Sequence, residues 1–329
     1  MALFRRQRGN GASADILRVY YASDIHGTEV LWRKFLGAPK YYKAEVLLMG
    51  GDVTGKVVIP VVGQGEGVHT ARLFGKDERA TSPAQLEELE RRIRGNGMYP
   101  YRAQPEEVSR VSNLSEEQRE AWFEQVMLEN FAGWIALADE RLEATSTKCY
   151  VMPGNDDPPS LAEVIDKGRN VMACDERVVE FDGYSMLSLG YSNRTPWDSP
   201  RELDESALFD AIASLAERVE DMSRCIFNLH VPPYNSGLDT AAELDADFNV
   251  VLVGKEPHMI AVGSTAVREA IERFQPLVAV HGHIHESPGA TRIGRTLCVN
   301  PGSNYHTGRI DGCLLRLEGI SVTHQFVAG

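Results

Sequence analysis

The hydrophobic pattern consists of short apolar runs that alternate with longer amphipathic segments. Short continuous runs are typical of buried strands, whereas apolar residues spaced three or four apart are typical of helices. Buried strands are predicted at 16–22, 45–49, 148–152, 224–229 and 277–280, with further strands inside 177–190 and 295–315, and helices are predicted at 29–36, 115–142, 202–220 and 264–274. Alternating strands and helices predict an α/β fold.

Residues 55–110 are more polar than the segments around them and interrupt this pattern. Two strands are predicted at 56–62 and 68–74, and the glycine-rich stretch between them is a hairpin signal. A charged helix is predicted at 84–94. We therefore predict an inserted hairpin-plus-helix segment. The sequence leaves two roles open for it, a cover over a site or a contact in a homodimer.

Composition and charge restrict the classes of function. The sequence has 329 residues, of which 43% are hydrophobic, so a large core is expected. We predict a flexible tail at 1–15 and a single domain over 16–329. The 34 Lys and Arg residues against 47 Asp and Glu residues give a formal net charge of −13. This charge argues against a protein that holds long nucleic acid by backbone attraction.

The cysteines and the N-terminal residues bear on the cellular compartment in which the protein is expected. The five cysteines are scattered without a Cys-x-x-Cys pair, so neither a disulfide framework nor a zinc ribbon is expected. Basic residues near the N-terminus are not followed by the apolar run of a secretory signal. No stretch approaches the roughly 18 apolar residues of a membrane span. We expect a cytoplasmic protein with no membrane partner.

Polar side chains of metal-ligand type follow five of the apolar runs, at the point where each predicted strand ends. They are Asp24 and His26, Asp52, Asn155, His230, and His283 with His285. Sites in layered α/β proteins collect at the carboxyl ends of strands. Taken singly, each residue has an ordinary explanation as a helix cap, a turn or a loop histidine. Their shared structural position favours a metal site.

The predicted ligand set mixes carboxylate, imidazole and amide oxygen and contains no thiolate. Such a set suits Mn²⁺, Fe or Zn²⁺ in a catalytic site rather than a structural zinc. The set is too large for one ion that keeps an open position, and it fits two ions if one carboxylate bridges them. Two metals about 3.5–4 Å apart clamp a phosphoryl group and generate a hydroxide at neutral pH. We expect two divalent ions, with manganese first and iron or zinc as alternatives.

The order of the motifs resembles that of the calcineurin-like metallophosphoesterases. Asp-x-His, Gly-Asp, Gly-Asn, a strand-end His and Gly-His-x-His follow one another across the chain, outside the tail and the insertion. The stretches 228–233, 282–286 and 300–303 resemble in particular a bacterial and archaeal branch of predicted phosphoesterases. The resemblance implies a four-layer αββα sandwich with metals at the strand ends.

The resemblance also implies a metal assignment and a reaction. One metal would be held by Asp24, His26, Asp52 and His285, and the other by Asp52, Asn155, His230 and His283, with Asp52 bridging. A water that bridges the metals would attack phosphorus in line. The implied substrate is a phosphodiester or phosphomonoester of a small molecule or nucleotide.

Asp156 departs from the pattern of the family. Many members carry a histidine directly after the Gly-Asn asparagine, which is thought to protonate the leaving group or to bind a phosphoryl oxygen. Here Asp156 follows Asn155. A carboxylate beside two cations is expected to be ionised, because nearby positive charge favours the charged form. It would be a poor acid. Asn155, Asp156 and His281 are our candidate catalytic residues, with His281 and Asp157 as substitutes for the acid; hydrogen bonding behind the ligands is the alternative for His281.

The remaining polar residues carry weaker predictions. Arg194, Asn300 and Ser303 are candidate substrate contacts, with loop packing as the alternative. We expect a dinuclear metal-dependent phosphoesterase. A phosphodiester is slightly preferred, because a diester with a good leaving group tolerates the missing histidine better.

Two other functions remain open at this stage. The first is a scaffold or interaction protein that has lost the chemistry of the fold, which the substitution at Asp156 favours. The second is a nuclease, which would need a local basic surface to compensate for the net charge. The insertion offers arginines for such a surface at Arg91, Arg92, Arg94 and Arg102.

Overall fold

The structure is a computed structural model that describes residues 16–329, so the tail predicted at 1–15 lies outside the described residues. The strands are β1 (Leu17–Ala22), β2 (Val46–Met49), β3 (Val57–Gly63), β4 (His69–Leu73), β5 (Lys76–Ala80), β6 (Met98–Ala103), β7 (Lys148–Val151), β8 (Met172–Ala173), β9 (Arg177–Phe181), β10 (Tyr184–Leu189), β11 (Ser192–Asn193), β12 (Glu202–Leu203), β13 (Cys225–Leu229), β14 (Thr240–Ala242), β15 (Leu252–Val253), β16 (Glu256–Pro257), β17 (Met259–Ala261), β18 (Val278–Val280), β19 (Gly289–Ile293), β20 (Thr296–Asn300), β21 (Asp311–Glu318) and β22 (Ser321–Ala328).

The helices are α1 (Glu29–Phe35), α2 (Ala38–Tyr42), α3 (Pro83–Gly95), α4 (Pro105–Ser112), α5 (Glu116–Leu142), α6 (Leu161–Ile165), α7 (Glu205–Ala216) and α8 (Thr265–Phe274). Five of the eight helices of residues 16–329 correspond to predicted helices, and the short helices α2, α4 and α6 were not predicted. The helix predicted at 202–220 is shorter than expected, because residues 202–203 form β12 and pair with β11.

Two six-stranded mixed sheets form the centre of the molecule. The first has the order β22-β21-β1-β2-β7-β8, and the second has the order β19-β20-β18-β13-β10-β9. Strands β1, β2 and β7 run parallel to one another, as do β10, β13, β18 and β20. The carboxyl ends of the parallel strands therefore meet at one edge of each sheet.

The two sheets pack against each other, and helices cover their outer faces. In β1, Val19 and Tyr21 belong to the core between the sheets, whereas Tyr20 and Ala22 belong to the core beneath the helices. Helices α1, α5 and α6 cover the first sheet, and α7 and α8 cover the second. The period of two along β1 thus supplies both cores from one strand. The predicted four-layer αββα sandwich is confirmed.

The insertion is larger than the predicted hairpin and helix. Its sheet has the order β5-β4-β3-β6, and α3 packs on one face of it. Strand β5 and helix α4 were not predicted, and neither was β6, which runs parallel to β3 at the edge of this sheet. Pro100 inside β6 weakens the strand signal, but an edge strand tolerates a proline.

No helix of residues 16–329 combines the length and the apolar character needed to cross a membrane. All five cysteines are buried and unpaired.

Candidate metal centre

The predicted ligands lie in the loops that directly follow β1, β2, β7, β13 and β18. Asp24, His26, Asp52 and His283 have φ angles of 57°, 38°, 49° and 66°. Non-glycine residues rarely adopt this left-handed region, and such strain costs about 1–3 kcal/mol for each residue. Backbone strain of this kind collects at functional sites. Of the thirteen non-glycine residues with positive φ in residues 16–329, four are candidate ligands at this edge of the sandwich.

The first group of converging ligand atoms combines residues from the two sheets. Asp24, His26 and His285 each place one ligand atom within 4.8 Å of the others. The Nε2 atoms of His26 and His285 face each other at 3.1 Å, and His285 Nε2 lies 3.5 Å from Asp24 Oδ1. The ring of Tyr305 packs on both imidazoles, with centroid separations of 4.7 Å and 5.7 Å. No local pattern in the sequence singles out this tyrosine.

The second group lies beside the first and is more deeply buried. Asp52, His230 and His283 place ligand atoms within 4.8 Å of one another. The His230 Nε2 atom is 3.4 Å from Asp52 Oδ2 and 3.1 Å from Asn155 Oδ1. Its Nδ1 donates to the Gly50 carbonyl at 2.8 Å, which directs Nε2 into the group.

Asp52 connects the two groups. Its Oδ2 atom lies 3.4 Å from His230 Nε2 in one group and 3.8 Å from His26 Nε2 in the other. A third set of ligand atoms within 4.8 Å of one another consists of His26, Asp52 and Asp156. One carboxylate oxygen thus stands between imidazoles of both groups, which is the position a bridging ligand requires.

At neutral pH His283 and Asp52 are in the form that binds a cation, whereas His230 still holds a proton. Burial, together with the charge on His230, lowers the pKa of His283 to about 4, so His283 offers a lone pair at neutral pH. Burial also lowers the pKa of His230, but the charge of Asp52 outweighs it and raises the pKa to about 10. For Asp52, burial raises the pKa, yet the His230 charge outweighs it and holds the pKa well below its usual value. A metal ion would displace the His230 proton.

Two glycines allow the carboxylates to approach the neighbouring loops. A Cβ atom on Gly154 would lie 2.2 Å from Asp52 Oδ1, and one on Gly282 would lie 2.3 Å from Asp24 Oδ2. Neither distance is compatible with a side chain. The Gly-Asn and Gly-His-x-His motifs therefore contain glycine for steric reasons, in addition to supplying ligands.

Asp157, a predicted substitute for the acid, lies behind the ligands. Its carboxylate is fully buried and accepts from the Val53 and Gly154 backbone and from both the amide and the hydroxyl of Thr54, at 2.6–2.9 Å. These bonds tie the loop after β2 to the loop after β7. Every bond goes to the protein, so the carboxylate orients the two loops.

His281, the other predicted substitute, is also outside the three sets of ligand atoms. It is fully buried, and its Nδ1 lies 2.9 Å from the Leu229 carbonyl and 3.1 Å from the Val231 carbonyl. Burial lowers its pKa to about 4. The side chain flanks the loop that carries His230, which matches the alternative of hydrogen bonding behind the ligands. A neutral imidazole has no proton to spare at neutral pH beyond the one that binds these carbonyls.

The predicted substrate contacts have protein partners in this structure. Arg194 is exposed and donates from Nε to Asp204 Oδ1 at 2.9 Å. The buried Asn300 amide donates to the Ile284 and Leu238 carbonyls and accepts from Gly302. These bonds hold the loop between His283 and His285.

Ser303 supports the ligand loops in a similar way. Its Oγ donates to the Asp24 carbonyl at 2.7 Å, and its amide donates to the His285 carbonyl at 3.2 Å. The turn at 300–303 therefore joins the loop after β1 to the loop after β18.

Two polar residues at the centre were not anticipated from the sequence. Lys56 Nζ lies 2.5 Å from Asp156 Oδ2, and Ser199 Oγ donates to Asp156 Oδ1 at 2.6 Å. These residues come from the insertion and from the segment between β11 and β12. They are distant from Asp156 in the chain, and no local motif marks them.

The four insertion arginines that were named for a basic surface all have carboxylate partners, which weakens the nuclease alternative. Arg91 pairs with Glu88, Arg92 with Glu78, Arg94 with Glu29 and Glu90, and Arg102 with Glu90. A basic surface for a phosphate backbone needs cations whose charge is not already balanced. The insertion does not offer such a surface through these arginines.

Solved structures share this fold over most of the chain. A crystal structure aligns with a TM-score of 0.55 at 14% identity, over 95% of this chain and 99% of its own. The crystal structure of TT1561 of Thermus thermophilus aligns with a TM-score of 0.51 at 13% identity, over 94% and 99% of the two chains. At these identities the likenesses show the fold alone.

The sequence comparisons match part of the chain. No family model matches the sequence. It is 31% identical over 153 residues to uncharacterized protein MJ1162 of Methanocaldococcus jannaschii, which is 46% of this chain. The chain spans 62% of the length of that curated relative.

Proposed function

We propose that this protein is a phosphoesterase that works with two divalent metal ions. The observation that supports the proposal is the convergence of two groups of carboxylate and imidazole ligand atoms at the strand ends, with Asp52 between them. The donor set fits hard or borderline divalent ions, with manganese first and iron or zinc as alternatives.

The assignment of ligands follows the two groups. One ion would be held by Asp24, His26, Asp52 and His285, and the other by Asp52, Asn155, His230 and His283. When bound, such a pair of ions supplies a nucleophilic hydroxide at neutral pH and neutralises charge on the phosphoryl oxygens.

Hydrogen bonds within the chain orient the side chains of the candidate ligands. The bond from His230 Nδ1 to Gly50 keeps Nε2 directed inward. The backbone amide of His283 donates to both oxygens of Asp24 at 3.0–3.1 Å, which sets the direction of that carboxylate. The backbone amide of Asp156 does the same for Asp52 Oδ1 at 3.0 Å. Ligands oriented by such bonds lose little freedom when they bind a metal.

A phosphodiester of a small molecule or nucleotide is the preferred substrate class. Asp156 accepts a hydrogen bond from Ser199 on Oδ1 and pairs with Lys56 through Oδ2, so both of its oxygens are occupied by donors. Without a general acid, which is typically worth 10²–10⁴-fold, the leaving group must depart unaided. Diesters with good leaving groups meet this condition better than alkyl monoesters.

The proposal is tested with metal-stripped protein that is reloaded with Mn²⁺, Fe²⁺, Zn²⁺ or Mg²⁺. Hydrolysis of bis-p-nitrophenyl phosphate and of p-nitrophenyl phosphate is then followed, and the metal content is measured. We expect metal-dependent turnover, faster on the diester, that falls on the order of 10²-fold or more in Asp52→Asn. Two bound ions without turnover of any phosphoester would contradict the enzyme and support the scaffold alternative.

A further inference from the structure

Asp156, the residue after Asn155, contacts two other segments of the chain at the edge of the candidate metal centre. Asp156 shares a set of converging ligand atoms with His26 and Asp52. Its side chain is 16% exposed, and each of its carboxylate oxygens has a close partner, Ser199 on Oδ1 and Lys56 on Oδ2. The position where the family pattern has a histidine therefore presents an ammonium group.

The backbone beside Lys56 is firmly held, although the side chain is 61% exposed. The Gly55 amide donates to the buried Tyr99 hydroxyl at 2.7 Å. A Cβ atom on Gly55 would lie 2.2 Å from the Gly97 carbonyl oxygen, so the chain passes in close contact there. The base of Lys56 is thus fixed between the insertion and the sandwich, while its Nζ remains accessible to a ligand.

The ion pair itself contributes little to stability. Exposed pairs of this kind are worth about 0–1 kcal/mol, so the ammonium group exchanges partners at small cost. Its position beside the metal ligands is therefore better explained by a contact to a bound anion than by stabilisation of the fold.

Other basic side chains near this edge are committed elsewhere. Arg201 is 3% exposed, pairs with Asp175 and donates to the Gly154 carbonyl. Arg194 pairs with Asp204. Three sets of ligand atoms contain the carboxylates of Asp24, Asp52 and Asp156. Among the ion pairs of residues 16–329, only that of Lys56 joins a lysine or arginine to one of these carboxylates.

We infer that Lys56 is the phosphate-binding cation of this site and takes the place of the missing histidine in contacting a non-bridging phosphoryl oxygen. Asp156 is its positioning residue, and Ser199 holds the second oxygen of that carboxylate. This inference rests on the proposed function for the identity of the substrate. The contact itself concerns any phosphoryl anion at the metal centre.

The test uses Lys56→Met, which keeps the length of the side chain and removes its charge. Isothermal titration calorimetry of the manganese-loaded protein with inorganic phosphate measures the contact without any turnover. We expect phosphate affinity to fall about tenfold, because a charge-assisted hydrogen bond is lost. For bis-p-nitrophenyl phosphate we expect a similar loss in kcat/KM.

Two matched variants control for charge and for geometry. Lys56→Arg keeps the cation and is expected to restore affinity to within about threefold of the wild type. Lys76→Met removes a charge from the same insertion at an exposed position outside the ligand sets, and it is expected to leave phosphate affinity unchanged. Metal content is measured for every variant and is expected to stay at the wild-type value.

The positioning role of Asp156 is tested by a double-mutant cycle. In an Asp156→Asn background, Lys56→Met is expected to lower phosphate affinity by less than about threefold, because the ammonium group is no longer held in place. An equal effect in both backgrounds would overturn the positioning role.

Failure of this inference is distinct from failure of the proposed function. Wild-type phosphate affinity in Lys56→Met, no phosphate binding by the loaded wild type, or loss of a metal ion from Lys56→Met would each overturn it. If the wild type turns over no ester, the proposed function fails, and the phosphate titration still decides the role of Lys56.

Discussion

Buried carboxylates occur in both the metal centre and the insertion, and their neighbours differ. In the insertion, Glu90 is 4% exposed and accepts from the guanidinium groups of Arg94 and Arg102. In the metal centre, Asp24 and Asp52 are 1% and 3% exposed, and their charged partners are histidines. The charge of Glu90 is therefore balanced by arginines of the insertion, which are always charged.

Within residues 16–329, the candidate metal centre has no such fixed cation beside Asp24 and Asp52. An imidazole balances a carboxylate only while it holds a proton, and it exchanges that proton for a metal ion. The comparison shows that buried charge is compatible with either a structural or a functional role, depending on its partner. A guanidinium partner makes the carboxylate structural, whereas titratable partners on a strained backbone leave a site for an added ion.

Metal removal is expected to have the largest effect, and it tests the difference between the candidate metal centre and the insertion. A metal ion that binds the folded state and not the unfolded state stabilises the folded protein. The gain is about 2.7 kcal/mol at a free metal concentration of 100 times Kd and about 4.1 kcal/mol at 1,000 times Kd. We expect urea unfolding of the manganese-loaded protein to show a gain of this size over the stripped protein. The gain should shrink in Asp52→Asn and persist in Glu90→Gln. Equal stability of loaded and stripped wild type would contradict the metal centre.

A smaller effect is expected from Gly154→Ala. The added Cβ would lie 2.2 Å from Asp52 Oδ1, so the carboxylate or its loop must move. Displacement of an orienting contact typically lowers metal affinity about 10–100-fold. Competition with a chelator of known affinity measures the change. The matched control is Gly133→Ala in α5, where no atom lies within 4 Å.

That control is expected to raise the free energy of unfolding by about 0.5–1 kcal/mol, because alanine favours a helix interior over glycine. Its metal affinity should equal that of the wild type. Unchanged metal affinity in Gly154→Ala would mean that the close approach of Gly154 to Asp52 is not required by the site.

The smallest effect is expected from Glu90→Gln and depends on pH. Burial raises the pKa of Glu90, but the hydrogen bond and charge of Arg102 outweigh it, so the pKa lies below the ordinary value of 4.5. A lowered folded-state pKa gives stability that is present above the ordinary value and lost as pH falls through the folded-state value. We expect Glu90→Gln to cost at most about 1 kcal/mol at neutral pH, because its partners are exposed.

Urea unfolding at neutral pH and at about pH 3.5 measures this difference, which should diminish at the acid pH. Metal affinity is expected to stay unchanged in Glu90→Gln at neutral pH. A cost that is independent of pH would mean that packing around Glu90, and not its charge, stabilises the insertion.

The sequence predicted the sandwich and its ligand edge because both rest on local signals. Continuous apolar runs identify buried strands, and a ligand directly after such a run lies at a strand end whatever the rest of the chain does. The insertion was harder to predict. Pro100 weakened the sequence signal of β6, which lies at the edge of the sheet beside β3, where a proline is tolerated.

The predicted substrate contacts at Asn300 and Ser303 stay predictions, and the structure shows that both residues also have a structural role. Asn300 and Ser303 were expected to contact substrate, yet their side chains bond to the backbone of ligand loops. Polar residues in a turn beside a site look alike in sequence whether they face the substrate or the protein.

The sequence by itself predicted which residues are the candidate ligands, because that prediction rests on the order of strand-end motifs. Only the tertiary structure decided that Asp52 stands between the two groups and that Lys56 meets Asp156. These relations join loops from different strands and from the insertion, and they depend on sheet order and on the packing of Gly55 against Gly97. The left-handed backbone of four candidate ligand residues is likewise a feature that local preference disfavours.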